Sequence, residues 1–324
     1  MIRTKVAIIA SCAALAAPAN AQDGPLNVLA TVGMVADVAQ NVAGACANVT
    51  TLIGAGTDPH YFSATPRDVD ALAQAELIFY VDRALEERLA DVLDNFRNRT
   101  PTVGLAGASF DTDTLLQDPD ADGALDPHLW MDVSRWAQIA PVIAENIAQL
   151  RPDCAEDLAR NVADYTAQLD ALHSWVGDGI ATIPEGQRML VTAHDAFYYF
   201  ADAYGIEASE AIEGISTASE ASIGDIREVA GFVIERGVPA VFVETTINPR
   251  TIEALVAEVQ AQGHEVVIGG ALFSDAMGDT GTAEGTYIGM IRANTATVTT
   301  ALGGTLPDWP EVLQDWAQEW DISD

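Results

Sequence analysis

Two stretches of the sequence, TDPHYF at 57–62 and LDPHLW at 125–130, share an Asp-Pro-His core, and a third histidine stands in VTAHDAF at 191–197. His60, His128 and His194 are three of only five histidines in the chain. Imidazole nitrogens are borderline donors, and three of them with one carboxylate make a set suited to a first-row divalent metal. The segment ALFSDAMGD at 271–279 offers the carboxylate, as Asp275 or as Asp279. Asp275 stands nearer the apolar run that precedes it, whereas Asp279 lies in GDTG, where a carboxylate suits turn capping. The repeated Asp-Pro has its own rationale. Proline restricts the residue before it, and Asp58 or Asp126 can accept the second ring N–H of a ligating histidine and fix its tautomer. A turn-forming Asp-Pro with a solvated carboxylate is the plainer reading of the same residues.

Taken singly, a histidine after a strand is more often a buried polar or helix-entry residue than a ligand. Three at loop positions in two similar halves are harder to assign to packing. His173, inside a helical pattern, and His264, in AQGHEV ahead of a strand, read as surface or capping residues.

Groups so far apart in sequence need a scaffold that brings strand ends together. The β-branched runs NVLAT (27–31), VTTLI (49–53), LIFYV (77–81) and TVGLA (102–106) alternate with segments of helical period. The rhythm returns after residue 185 with RMLVTA (188–193), AVFVET (240–245) and EVVIGG (265–270). Such βαβ patterning predicts parallel sheets, whose ligand crevice lies outside the carboxyl ends of the strands, where His60 and His194 fall. Between the halves, residues 153–183 hold no proline and place Leu158, Val162, Tyr165, Leu169, Leu172 and Val176 at steps of four and three. One helix of roughly 30 residues, about 45 Å long, is predicted there, opened by Pro152 and closed by Pro184. The expected architecture is α/β, with two lobes, each a mainly parallel four-stranded sheet with flanking helices, joined by one long rigid helix. Hinge motion should then be limited, with the Gly-, Ser- and Ala-rich segment 213–225 as the part expected to move.

Composition sets the compartment. The first 21 residues read as a secretory signal: Arg3 and Lys5 precede an apolar run, and Ala19-Asn20-Ala21 offers the cleavage site. The expected organisation is a signal peptide at 1–21, a first lobe at 22–152, the linker helix at 153–183 and a second lobe at 184–324. Cys12 sits in IASC, a poor lipoprotein box beside the better site downstream, so a lipid anchor is disfavoured. Of the three cysteines, Cys46 and Cys154 remain after cleavage and are expected to pair in an oxidising compartment. No later run reaches the ~18 apolar residues of a spanning helix, which predicts a soluble, exported product. Removing Arg3 and Lys5 takes the formal charge from −33 to −35, which excludes nucleic acid as a partner, since phosphate recognition rests on Lys and Arg. The acidity itself fits adaptation to a salty medium better than any particular ligand.

The strings VTAHDAFYYFADAYGIE, GISTASEASIGDI and GGALFSDAMGDTGTAEGTYIGM, with DPHYF and DPHLWMD, closely resemble the TroA-like (cluster A-I) substrate-binding proteins of zinc and manganese ABC importers. That resemblance covers essentially the whole chain after the signal. It implies two four-stranded βαβ lobes joined by a rigid helix, with the metal buried between them and bound by His60, His128, His194 and Asp275. It further implies a monomeric periplasmic protein, one zinc or manganese ion as cargo, an ABC permease as partner, and no enzymatic activity. Manganese-selective branches often carry Glu at the third ligand position, where this chain has His194. Zinc-specialised relatives commonly carry a His-rich loop before the second ligand, whereas residues 111–126 here are acidic and lack histidine. Two other classes compete. An exported zinc hydrolase lacks support from H-E-x-x-H or G-x-S-x-G motifs, and an organic-solute binder would leave the histidines without a role.

Overall fold

Runs of apolar and β-branched residues form the strands of the first half: β1 (Leu26–Ala30), β2 (Ala47–Thr51), β3 (Leu77–Tyr80) and β4 (Thr102–Gly104). The computed structural model describes residues 24–117, 123–217 and 221–322. The segment read as a signal peptide therefore lies outside the described residues, as do 118–122 of the acidic loop and 218–220 of the segment expected to move. The first four strands form one parallel sheet in the order β2-β1-β3-β4. All four residues of β3 are buried, as an interior parallel strand covered on both faces requires. The helix Pro66–Gln74 shows how local chemistry sets an element's start, with Pro66 in its first turn and Thr65 and Asp68 forming a reciprocal capping box.

The second half carries β5 (Met189–His194), β6 (Ala208–Glu213), β7 (Ala240–Glu244) and β8 (Val267–Leu272). Its four strands are hydrogen-bonded as two parallel pairs, β5–β6 and β7–β8, with β5 packed beside β7. At the end of the junction a side chain takes the place of main-chain acceptors: Glu244 Oε1 accepts the N–H groups of Ala193 and His194, each at 2.9 Å. Strand β6 is absent from the sequence reading because ASEAIE has little β propensity, and Ile212 is its one fully buried residue. In β8 the ladder slips, with Ile268 opposite Val241 but Gly270 opposite Phe242, so Gly269 is an extra residue and the strand runs two residues further than EVVIGG suggests. A Cβ on Gly270, whose φ is +151°, would come within 2.5 Å of Thr297 Cγ2. Glycine there lets the helix Tyr287–Ala301 lie directly on the strand that leads to Asp275.

The linker is an α-helix over Ala155–Ala181, entered through a 3-10 turn at Pro152–Cys154. Its 27 residues span about 40 Å. Leu158, Tyr165, Leu169, Leu172 and Val176 of the expected stripe are buried, and Val162 is half-buried. The helix is tied to both halves. Tyr165 donates to Asp37 Oδ2 at 2.8 Å, and the Trp175 indole donates to the Pro307 carbonyl at 3.1 Å. One apolar cluster runs from the first sheet through this helix to Tyr287–Ala301, which explains why a wide hinge is not expected. No helix among the described residues is long and apolar enough to cross a membrane.

Cys46 and Cys154 are joined, as expected, with Cα atoms 6.2 Å apart across a sequence separation of 108. The bond fastens the end of the segment leading into β2 to the start of the linker helix. Changing both cysteines to Ala should lower stability by roughly 2–4 kcal/mol, read as a lower urea midpoint, while metal binding remains.

Candidate metal centre

His60, His194 and Asp275 come from a strand's carboxyl end or the loop that follows it, and His128 from the long connection after β4. His194 is the last residue of β5, and Asp275 follows β8 by three residues. His60 lies in the loop after β2, and His128 immediately precedes a 3-10 turn at Leu129–Met131. All four are buried, with 2 % exposure at His60, 0 % at His128 and His194, and 1 % at Asp275. Such burial excludes water from the polar tips, so each needs a partner.

Those tips face one another. Asp275 Oδ2 lies 3.5 Å from His60 Nε2 and 3.2 Å from His194 Nε2, while Oδ1 lies 3.3 Å from His128 Nε2. A tetrahedral ion with ligand bonds of about 2.0–2.1 Å separates its ligand atoms by about 3.3 Å, so the spacing matches a bound cation. The four donors offer ligand atoms within 4.8 Å of one another. The three Nε2 atoms and both Asp275 oxygens are buried without a hydrogen-bond partner, as lone pairs directed at a common ion would be. Four protein donors fill a tetrahedral coordination sphere, an arrangement suited to holding an ion rather than to keeping a position open for reaction.

The backs of the rings are held in different ways. Asp126 Oδ1 accepts the His128 main-chain N–H at 2.8 Å and meets the ring Nδ1 at 2.7 Å, which puts the Nε2 lone pair toward the cluster. Glu244 Oε2 meets His194 Nδ1 at 2.5 Å with the same consequence. Asp58 behaves otherwise: its Oδ1 accepts the His60 main-chain N–H at 2.8 Å, and its Oδ2 accepts the Thr217 hydroxyl at 2.6 Å. The two Asp-Pro-His copies therefore share a turn and differ in what the second contact of the Asp grips. Trp130 pins the halves together over the site, donating its indole N–H to the Ser274 carbonyl at 2.9 Å while its ring lies edge-on to His128.

Protonation follows from these contacts. Burial dominates at His60 and pushes its imidazole down to about 4, so that ring is neutral. Burial also opposes charge on His128, but Asp126 and Asp275 outweigh it and lift the ring to about 9. His194 is likewise raised well above the usual imidazole range, with Glu244 and Asp275 overcoming its burial. Asp275 is held well below the usual carboxylate range, since His194 and His128 outweigh a burial that would raise it. In the absence of metal, protons on the imidazoles balance the carboxylates, and a divalent cation takes over that role by displacing them.

The remaining sequence candidates lie elsewhere. Asp279 is exposed, and its turn is built on its main-chain carbonyl, which accepts from Thr282 N at 3.1 Å and Thr282 Oγ1 at 2.8 Å. His173 meets the Tyr204 hydroxyl at 3.1 Å, and His264 is exposed. Glu244 is the functional residue that sequence reasoning missed. Its signal was a charged side chain closing the apolar strand AVFVET at the carboxyl end, where ligand sites form.

Residues 28–301 match the family model described as ZnuA, the zinc-uptake complex component A, periplasmic. The chain is 41% identical over 282 residues to the zinc-binding protein TroA of Treponema pallidum (strain Nichols), covering 87% of this chain and 90% of that protein. It is 37% identical over 281 residues to the manganese-binding lipoprotein MntA of Bacillus subtilis (strain 168), covering 86% of this chain and 90% of that protein. The solved structure of the periplasmic zinc-binding protein TroA from Treponema pallidum superposes with a TM-score of 0.83 at 40% identity, covering 86% of this chain and 99% of that one.

Proposed function

Since the chain belongs to the ZnuA family of periplasmic zinc-uptake components, we propose that it captures one divalent transition-metal ion outside the inner membrane and delivers it to the permease of an ABC importer. His60, His128, His194 and Asp275 hold the ion. The observation that carries this reading is the convergence of three buried Nε2 atoms and a carboxylate, all without hydrogen-bond partners, between loops of both halves. The metal is the cargo, and no reaction is performed on it. Three nitrogens and a carboxylate favour zinc over manganese by the Irving–Williams order, so zinc is the tighter ligand in solution. The protein works as a cleaved, unlipidated monomer in the periplasm, with residues 22–152 and 184–324 as its lobes and 153–183 as the linker.

Elemental analysis tests the capture step. Protein purified without chelator is expected to carry about one divalent transition metal per chain, because four convergent donors form one site. The double variant His60→Ala/His194→Ala is expected to carry almost none, and full occupancy in that variant would overturn the assignment. Added zinc should displace manganese, and the cargo delivered in the cell is read from rescue of a transporter-deficient strain grown under limitation of either metal.

A further inference from the structure

Of the three histidines, His60 is held in the least direct way. Its buried Nδ1 has neither a hydrogen bond nor an ion-pair contact among the described residues, whereas a carboxylate oxygen meets Nδ1 of His128 at 2.7 Å, from Asp126, and Nδ1 of His194 at 2.5 Å, from Glu244. The position of its ring is therefore set through the main chain of residues 54–62, a stretch without helix or strand in which Gly54, Ala55 and Gly56 are exposed. Asp58 shapes that main chain by accepting the His60 N–H on Oδ1, and its Oδ2 accepts the hydroxyl of Thr217 at 2.6 Å. Thr217 lies 159 residues away, in the connection that follows β6, and is only 5 % exposed. One carboxylate thus links the turn that presents a ligand to the opposite half of the molecule.

Resting on the metal-capture reading above, we propose that the Asp58–Thr217 hydrogen bond is an interlobe latch, with Thr217 a positioning residue that sets how long the metal stays bound. While the bond holds, the His60 turn is registered against the half that supplies His194 and Asp275. When it breaks, the His60 loop can withdraw without disturbing the carboxylate-backed rings of His128 and His194. A shift of about 1 Å suffices, since it takes the 2.6 Å contact well outside the range of about 2.5–3.0 Å that an O–H···O hydrogen bond spans. Release then needs a local loop movement and not a wide opening about the linker helix, whose contacts with both halves resist one.

The test compares Thr217→Val, which removes the hydroxyl at nearly constant volume, with Thr217→Ser, which keeps it. Zinc-loaded protein is mixed with an excess of a chromogenic chelator and the dissociation rate is followed. Thr217→Val is expected to hold one zinc per chain yet release it about tenfold faster, the scale of one lost hydrogen bond to a charged group. Thr217→Ser should release zinc at the parent rate. In an Asp58→Ala background the Val change should add nothing further, as expected for two residues acting through one contact. Metal-free protein gives an independent readout: the His60 amide should exchange its hydrogen faster in Thr217→Val than in the parent. Equal zinc release from the parent and the Val variant would overturn the latch, as would a Ser variant that releases as fast as Val. A parent protein that fails to bind zinc would overturn the capture reading instead, and the amide exchange of the metal-free chain would still decide the latch.

Discussion

Asp275→Ala is expected to lower zinc affinity by roughly a hundred- to a thousandfold. Structural zinc sites with four protein ligands bind with about 10–16 kcal/mol, so one donor accounts for about 2.5–4 kcal/mol of it. The effect should fall at the upper end because both oxygens of Asp275 face the histidines, Oδ2 toward His60 and His194 and Oδ1 toward His128. With the carboxylate gone, three rings remain, and the one anion standing between them is lost. The metal-free fold should survive, since no hydrogen bond to a main-chain group depends on this side chain: both of its oxygens are without hydrogen-bond partners. Asp279→Ala is the matched control. Its turn depends on the main-chain carbonyl and Thr282, so zinc affinity should stay at the parent value and the melting temperature should move little. Competition titration with a chelator of known affinity reads both variants, and a reversed pattern would transfer the ligand role to Asp279.

The second large effect concerns a residue that never touches the ion. Glu244 holds two main-chain N–H groups on Oε1 and the ring of His194 on Oε2. In Glu244→Gln the amide oxygen can still accept from Ala193 and His194, which fixes its orientation and turns the NH2 group toward His194 Nδ1. A ring nitrogen facing a donor must be the acceptor, so the ring proton moves to Nε2, the atom that should bind metal. Zinc affinity should fall by about 10–100-fold or more while the fold is retained. Glu244→Ala removes the acceptor as well and strands two buried N–H groups, each costing about 1–3 kcal/mol, so this variant should also melt lower. Parent-like affinity in the Gln variant, measured by the same competition, would show that Glu244 does not set the His194 tautomer.

The contrast between Asp275 and Glu244 explains what could be read from the sequence. His60, His128 and His194 stood out as candidate donors because their chemistry belongs to residue type, strand periodicity placed His60 and His194 near carboxyl ends, and Asp275 was one of two nearby carboxylates, preferred through the family resemblance. The linker helix was legible for a similar reason: a proline-free amphipathic run can do little else, and against the expected 153–183 it starts through a 3-10 turn at Pro152–Cys154 and ends at Ala181, two residues early. Glu244 was hidden because its role depends on the packing of β7 beside β5, a tertiary fact that no local pattern carries. The Asp58–Thr217 contact joins residues 159 positions apart: the repeated Asp-Pro-His drew attention to Asp58, but nothing local marks Thr217 as its partner. Strand β6 escaped because its mostly polar sequence lacks clear alternation and holds a single β-branched residue, Ile212, and the true end of β8 was shifted by the bulge at Gly269.

Crystals grown with zinc and measured on both sides of the zinc absorption edge address the central claim directly. An anomalous peak is expected about 2.0–2.2 Å from Nε2 of His60, His128 and His194 and from a carboxylate oxygen of Asp275. An empty cluster in zinc-loaded crystals, or a fully occupied peak on other side chains, would contradict it.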